Sequence, residues 1–186
     1  MEIAVLDACV LFRGGVRDFL LWVAEAGAFC PAWSDIIHEE WMRNRRTKFG
    51  DPQSRLDWAR LQMEQAFPGA NFEPDPLTLT TLSLPDVDDV HIVATAMAAH
   101  AQTIITYNIA HFPSADLTPI GLRAEEPDVF CSHLFSKARP EIVEGARLHR
   151  RSLKTPTYDA ATYLEHLASQ GLQRASGLLR ESQDLI

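Results

Sequence analysis

Apolar and polar positions along this chain follow two rhythms. Ile3 to Leu6 is an unbroken apolar run that stops at Asp7, which reads as a short buried strand with a polar end. Gly14-Gly15 reads as a turn, and the amphipathic stretch from about Val16 to Ala26 predicts a helix. Ser34 is placed as the N-cap of a second helix, with Ile36, Ile37, Glu40 and Trp41 close to one face ahead of the basic stretch "RNRRTKFGDP". A third helix is expected from near Gln53 to Ala66, followed by the loop-rich segment "FPGANFEPDPLTLTTLSLPD". A helix from about Val87 to Ala99 comes next, then the β-branched run "QTIITYN" as a strand with a polar end, and a last strand near Gly121 to Ala124.

Strands alternating with helices predict an α/β fold around a parallel sheet. In such sheets functional groups gather beyond the carboxyl ends of the strands, and Asp7 and Asn108 both follow a strand end. After Pro127 the pattern is helical: "PDVFCSHLF", then "PEIVEGARLHRRSL" with Pro140 at a first helical position, then about Thr157 to Ser169 stopped by Gly171, then "LQRASGLLRES". The expected organisation is an α/β domain over residues 1–126 and a helical extension over residues 127–186, packed on that core.

The chain's 186 residues suit one domain with an appendage. No apolar run approaches the roughly 20 residues that span a bilayer, so no membrane role is expected. The opening "MEIAVLDACV" lacks the basic flank and cleavage site of a signal peptide, which makes a cytoplasmic location the expectation. Cys9, Cys30 and Cys131 are far apart and without a C-x-x-C pair, so they read as reduced thiols. The absence of H-E-x-x-H and of Cys/His spacing argues against a zinc site, and Gly14-Gly15 lacks both G-x-G-x-x-G and the Walker lysine.

A formal net charge of −8 repels nucleic acid at long range unless basic patches or bound cations reverse the field locally. Two basic clusters stand out: Arg43, Arg45, Arg46 and Lys48 after Glu40, and Arg147, Arg150, Arg151 and Lys154 in the extension. The default reading of each is solvated surface. The first, with Arg43, Arg45 and Arg46, is the better candidate for holding the phosphates of a nucleic acid. Trp33 and Trp41 read as core residues, with stacking on unpaired bases as the alternative.

"LPDVDDVHIVATA" puts three aspartates, Asp86, Asp88 and Asp89, into four positions at a helix start. Acids favour a first helical turn for its own sake, so each alone reads as ordinary. Asp7, Glu40, Asp89 and Asn108, however, come from four different elements and can converge. Hard divalent cations take oxygen ligands, and Mg²⁺ is held by one or two carboxylates with water and phosphate. That set fits phosphodiester hydrolysis. His38 and His91, each two positions from an acid, read as structural.

"AVLDACVL", "SDIIHEEW" and "LPDVDDVHIVATAMAAHAQTIITYNIAHFP" together resemble a PIN domain, the nuclease fold of bacterial VapC-type toxins. The tail from "PDVFCSHLF" through "GLQRASGLL" resembles the helical extension of one VapC subgroup. The resemblance implies a three-layer α/β/α fold with a central parallel sheet. It places Asp7, Glu40 and Asp89 on three family acids, with Asp7 and Asp89 binding Mg²⁺ or Mn²⁺, Glu40 binding metal or orienting the attacking water, and Asn108 completing the shell. Family members often carry an acid at the fourth position or in the following D-F pair, where this chain has Asn108 and His111-Phe112. The resemblance further implies RNA cleavage leaving a 5′-phosphate and a 3′-hydroxyl, a cognate VapB-like antitoxin and a homodimer. Two rival readings stand beside it. One is a non-catalytic RNA- or protein-binding module of the same fold. The other is a phosphatase with Asp7 as nucleophile, for which Cys9 stands where a D-x-D motif would have its second acid.

Overall fold

The structure, a computed structural model, describes residues 1–81 and 84–186. Its elements run β1 (Ile3–Leu6), α1 (Ala8–Leu11), α2 (Gly14–Glu25), β2 (Cys30–Ala32), α3 (Asp35–Phe49), α4 (Gln53–Ala66), α5 (Pro76–Thr81) and α6 (Val90–Ala98). They continue with β3 (Thr103–Ile105), α7 (Ser114–Leu117), β4 (Arg123–Glu125), α8 (Pro127–Phe135), α9 (Arg139–Ser152), α10 (Ala160–Ser169) and α11 (Gln173–Leu179). Single 3-10 turns cover Val87–Asp89, Ile109–His111, Thr118–Ile120 and Arg180–Leu185. The fold class is the expected α/β type. Two compact units form: Glu2–Phe12 with Cys30–Glu125, and Met1 with Arg13–Phe29 and Glu126–Ile186.

The first unit holds a four-stranded, all-parallel sheet in the order β2-β1-β3-β4. Val5 pairs with Ala32 and Ile104, and Leu6 with Ile105. Val5, Leu6, Ile104 and Ile105 are fully buried, and α6 covers β1 and β3 with Ile92, Val93 and Ala96. Helix α3 starts where Ser34 Oγ accepts the Ile37 N–H at 3.4 Å and stops at Gly50, whose left-handed φ of 67° only glycine adopts without strain. Trp33 and Trp41 are fully buried, so both are core residues. His38, equally buried, accepts the Trp41 indole N–H at 3.0 Å and is structural, as expected.

Several local readings differ from the structure. Strand β2 was not expected: it is three residues long with Pro31 at its centre, tolerable because it lies at a sheet edge. Gly14-Gly15 opens α2 rather than forming a turn, and a short helix, α1, follows Asp7 at once. Helix α5 lies inside the segment read as loop, of which Leu82 and Ser83 fall outside the described residues. The last strand begins at Arg123, after Gly121 turns the chain with φ 75°.

The second unit is helical. The Asp128 carboxylate on α8 accepts the Arg174 and Ala175 N–H groups, both at 2.9 Å, and so caps the start of α11 from another helix. Helix α9 lies against α2 so closely that a Cβ on Gly145 would sit 2.6 Å from Val23 Cα and 2.9 Å from Trp22 O. The obstacle is backbone, which cannot swing aside. His149, 2% exposed, has Nδ1 3.0 Å from Tyr163 Oη and its ring beside Phe19. Burial pushes it from its ordinary 6.5 down to about 4, with nearby His166 adding to the fall and Asp18 opposing it.

Gly145→Ala is therefore expected to cost about 2 kcal/mol from overpacking despite the better helix propensity of alanine, a fall in melting temperature of roughly 6 °C. An unchanged melting curve would show that α2 and α9 do not touch at this point. His149 is neutral in the fold and charges on unfolding, so its contribution is complete above pH 6.5 and is lost as pH falls toward about 4. Urea titrations at pH 7.5 and 4.5 should show wild type losing more stability than His149→Gln, by up to about 3 kcal/mol. Equal losses would mean that His149 does not titrate in this window.

Candidate metal centre

Strands β1 and β3 are neighbours in register, and the Asp7 N–H donates to Ile105 O at 3.1 Å. Asp7 and Thr106 therefore leave the sheet side by side. Because β2 flanks β1 on the other side, the chain's strand order reverses there, and this is the crevice where open parallel sheets hold their ligands.

Asp7 is 2% exposed and densely hydrogen-bonded. Its Oδ2 accepts the Thr106 hydroxyl at 2.5 Å and the Cys9 thiol at 3.2 Å, while Oδ1 accepts the Cys9 N–H at 3.2 Å as the N-cap of α1. Thr106 Oγ1 in turn accepts the Asn108 N–H at 2.9 Å, leaving its own proton for Asp7. Burial raises the Asp7 carboxyl above its ordinary value; the bonds from Thr106 and Cys9 pull it back, and the charge of Glu40 pushes it up again. Burial and the Asp7 charge push Cys9 up to about 12, so it remains a thiol and a donor.

Asp89 stands in the 3-10 turn that leads into α6 and is 9% exposed. Burial raises it, the His111 bond lowers it, and the charges of Asp7 and Asp86 raise it. The contact is short: His111 Nδ1 lies 2.6 Å from Asp89 Oδ2, and Asp86 Oδ2 is 3.4 Å from the same nitrogen. Asp86 Oδ1 accepts the Asp88 N–H at 3.0 Å, so one aspartate oxygen shapes the turn while the other faces the cluster. The ligand atoms of Asp86, Asp89 and His111 all lie within 4.8 Å of one another.

Glu40 is half-buried on α3, with Glu39 turned to solvent. Its Oε2 is 3.2 Å from His91 Nε2, off the line of a hydrogen bond, so the attraction is between charges. His91 Nδ1 lies 2.7 Å from Asp88 O; a carbonyl only accepts, so this nitrogen carries a proton and Nε2 faces the carboxylate. Burial lowers His91, but the Glu40 contact, the Asp88 carbonyl and the Asp7 charge together raise it above 6.5. His91 was expected to be structural and instead faces Glu40.

Glu40 acts electrostatically on Asp7, and Asp7 on Asp89, but these three carboxylates do not form a group within 4.8 Å of one another; the described residues brought to that spacing are Asp86, Asp89 and His111. Among the described residues none of Asp7, Glu40 and Asp89 is paired with lysine or arginine; their ionisable partners are His91 and His111. Asn108 is exposed, bonded through its main chain to Thr106 Oγ1 and His111 N–H. Arg45 is braced against Asp51 at 2.5 Å and Phe12 O at 2.9 Å, Arg46 against Gln53 at 2.8 Å, and Arg43 is exposed. Thr106, Cys9, Asp86, His91 and His111 were not among the expected site residues. The "HF" pair at His111-Phe112 was the one visible signal, since it stands where the resembled family carries an acid.

The donor set fits a divalent cation, because several carboxylates share a partly buried site and, among the described residues, no lysine or arginine pairs with Asp7, Glu40 or Asp89. Fold and site together define a parallel α/β protein with an acidic centre at its switch point. The chain belongs to the PIN domain family, whose model matches residues 4–110. Residues 127–181 match the VapC50 C-terminal domain, which makes this a VapC-type PIN protein with a C-terminal extension and supports a VapC-like nuclease in general. No curated protein and no solved structure matches the chain. No helix among the described residues is long and apolar enough to cross a membrane.

Since burial holds Asp7 above its ordinary value, its charge destabilises the metal-free fold at neutral pH. Asp7→Asn keeps an oxygen for the Cys9 N–H and is expected to melt a few degrees higher than wild type in EDTA at pH 7.5, where about 1 kcal/mol corresponds to about 2–4 °C. A lower melting temperature would mean that the hydrogen bonds outweigh the desolvation.

Proposed function

We propose that this chain is a Mg²⁺- or Mn²⁺-dependent endoribonuclease and the toxin of a type II toxin–antitoxin pair. What supports the reading is a PIN-family chain in which Glu40 acts electrostatically on Asp7, and Asp7 on Asp89, beside the β1–β3 switch point. In this reading Asp7 and Asp89 hold the cation, Glu40 binds it or orients the attacking water, and Asn108 completes the shell. Residues 1–126 form the nuclease domain and residues 127–186 the helical extension. A VapB-like antitoxin and a homodimer belong to the same proposal.

A bound divalent cation supplies a Lewis acid that makes water more acidic and offsets charge gathering on the phosphate. The protein's part is orientation. Thr106 and Cys9 fix both oxygens of Asp7, so that the carboxylate meets its ligand in one rotamer. His91 engages Glu40 through Oε2, and Oε1 takes the proton of the incoming water as its oxygen attacks phosphorus. The 3′-oxygen departs with the bonding electron pair and takes a proton from solvent to become a hydroxyl, and the phosphate stays on the 5′ side of the downstream nucleotide. Arg43, Arg45 and Arg46 lie on the same helix as Glu40 and supply phosphate contacts, with Phe49, 56% exposed, beside the Arg45 guanidinium at 5.0 Å. The engagement of both Asp7 oxygens favours a ligand over an attacking nucleophile, and so weighs against the phosphatase reading.

A panel of end-labelled RNAs should be cut by wild type with Mn²⁺ and spared in EDTA. Asp89→Asn should lower cutting by about a hundredfold or more while fluorescence anisotropy still reports RNA binding. Cutting that ignores both EDTA and the substitution would exclude this mechanism, and binding without any cutting by wild type would favour the non-catalytic module.

A further inference from the structure

We infer that His111 is a metal ligand, and that with Asp86 and Asp89 it forms a mixed nitrogen–oxygen site selecting a d-block divalent cation such as Mn²⁺ or Zn²⁺ over Mg²⁺. This rests on the metal reading of the acidic centre proposed above and deepens it. Three observations carry it. The imidazole nitrogen and two carboxylate oxygens, contributed by segments on either side of α6 and β3, already lie within 4.8 Å of one another. Ligands cis to one another around a single ion at about 2.1 Å are separated by about 3 Å. The His111 Nδ1 contacts, 2.6 Å to Asp89 and 3.4 Å to Asp86, straddle that spacing, so release of the Nδ1 proton to solvent and a small side-chain adjustment seat the ion.

The orientation of the ring is the second observation. Nδ1 points at the carboxylates, so one of the two ring nitrogens of His111 able to bond a cation faces the acids that would share it. Thirdly, the His111 and Asp86 side chains are 39% and 38% exposed while that of Asp89 is 13% exposed. The cluster is closed behind and open in front, which leaves the remaining coordination positions to water or a phosphate oxygen. Magnesium demands oxygen donors and sheds water reluctantly, whereas an imidazole suits later divalent metals, whose affinity for nitrogen rises along the first-row series. One nitrogen among three ligands therefore biases the site away from Mg²⁺. An acid in place of His111 would restore an all-oxygen set.

The test is direct binding to the full-length protein. Isothermal titration with MnCl₂ and with MgCl₂ gives the ratio of the two affinities for wild type and for His111→Asp. The ratio is expected to fall at least about tenfold in H111D, through weaker Mn²⁺, stronger Mg²⁺ or both. An independent readout uses wild type alone. In ¹H–¹⁵N correlation spectra of the histidine rings, ZnCl₂ should move the His111 Nδ1 resonance at stoichiometric concentration and MgCl₂ should not. An unchanged affinity ratio in H111D, or an unmoved Nδ1 resonance with bound Zn²⁺, overturns this inference and leaves the metal reading of Asp7, Glu40 and Asp89 standing. If wild type takes up none of the three cations, both fall together.

Discussion

A carboxylate buried at the end of β1 is the constraint around which the rest of the first unit is arranged. Asp7 is nearly inaccessible, and an ionised group in that position is costly unless its oxygens are satisfied. The fold answers locally: the first turn of α1 gives the Cys9 N–H, the thiol gives a second bond, and the Thr106 hydroxyl a third. The last depends on β1 and β3 being paired in register, so the sheet itself solvates the acid. These bonds do not fully offset burial, and the neighbouring acids add repulsion. A site that stays strained when empty is poised to bind positive charge, and this is the usual conflict between a stable fold and a functional one.

The counter-charges are the second feature of the design. Where arginine or lysine would neutralise the acids permanently, the structure sets His91 against Glu40 and His111 against Asp89. A guanidinium is always charged and holds its carboxylate bidentately, and would compete with a cation for the same oxygens. An imidazole can give up its proton. The two histidines thus hold the carboxylates in place without closing the site to a metal.

Much of this was legible in the sequence, for identifiable reasons. The bounds of β1 follow from an apolar run with a clear stop, and the start of α3 from Ser34 as a cap. Strand β2 was hidden because three residues with a central proline carry no periodicity, and α5 because a six-residue helix in a Pro- and Thr-rich stretch has none either. Gly14-Gly15 looked like punctuation, yet glycines also open helices. At the centre the acids were visible one by one from their places after strands and at helix starts. Their partners were not. Thr106 reaches Asp7 only through the β1–β3 pairing, and His91 reaches Glu40 only because α3 and α6 pack together, and neither pairing can be read from spacing along the chain.

Helix α3 joins the two halves of the proposed reaction. Its N-terminal part is fixed by the Ser34 cap and carries Glu40; its C-terminal part carries Arg43, Arg45, Arg46 and Lys48. At 1.5 Å of rise per residue, Arg43 stands about 4.5 Å and Arg46 about 9 Å along the axis from Glu40. These spans are within or close to a Debye length of about 8–10 Å, so a phosphate near Glu40 feels Arg43 and Arg46 with partial screening, while charges farther across the surface are screened more strongly. Arg45, tied to Asp51 and to Phe12 O, holds the helix end against the segment that follows Asp7. In the proposed reaction the same helix therefore sets the distance between the acid that would orient water and the cations that would hold the backbone. Under that proposal an acidic protein acts on an acidic polymer because the attraction needs to prevail only over the length of one helix.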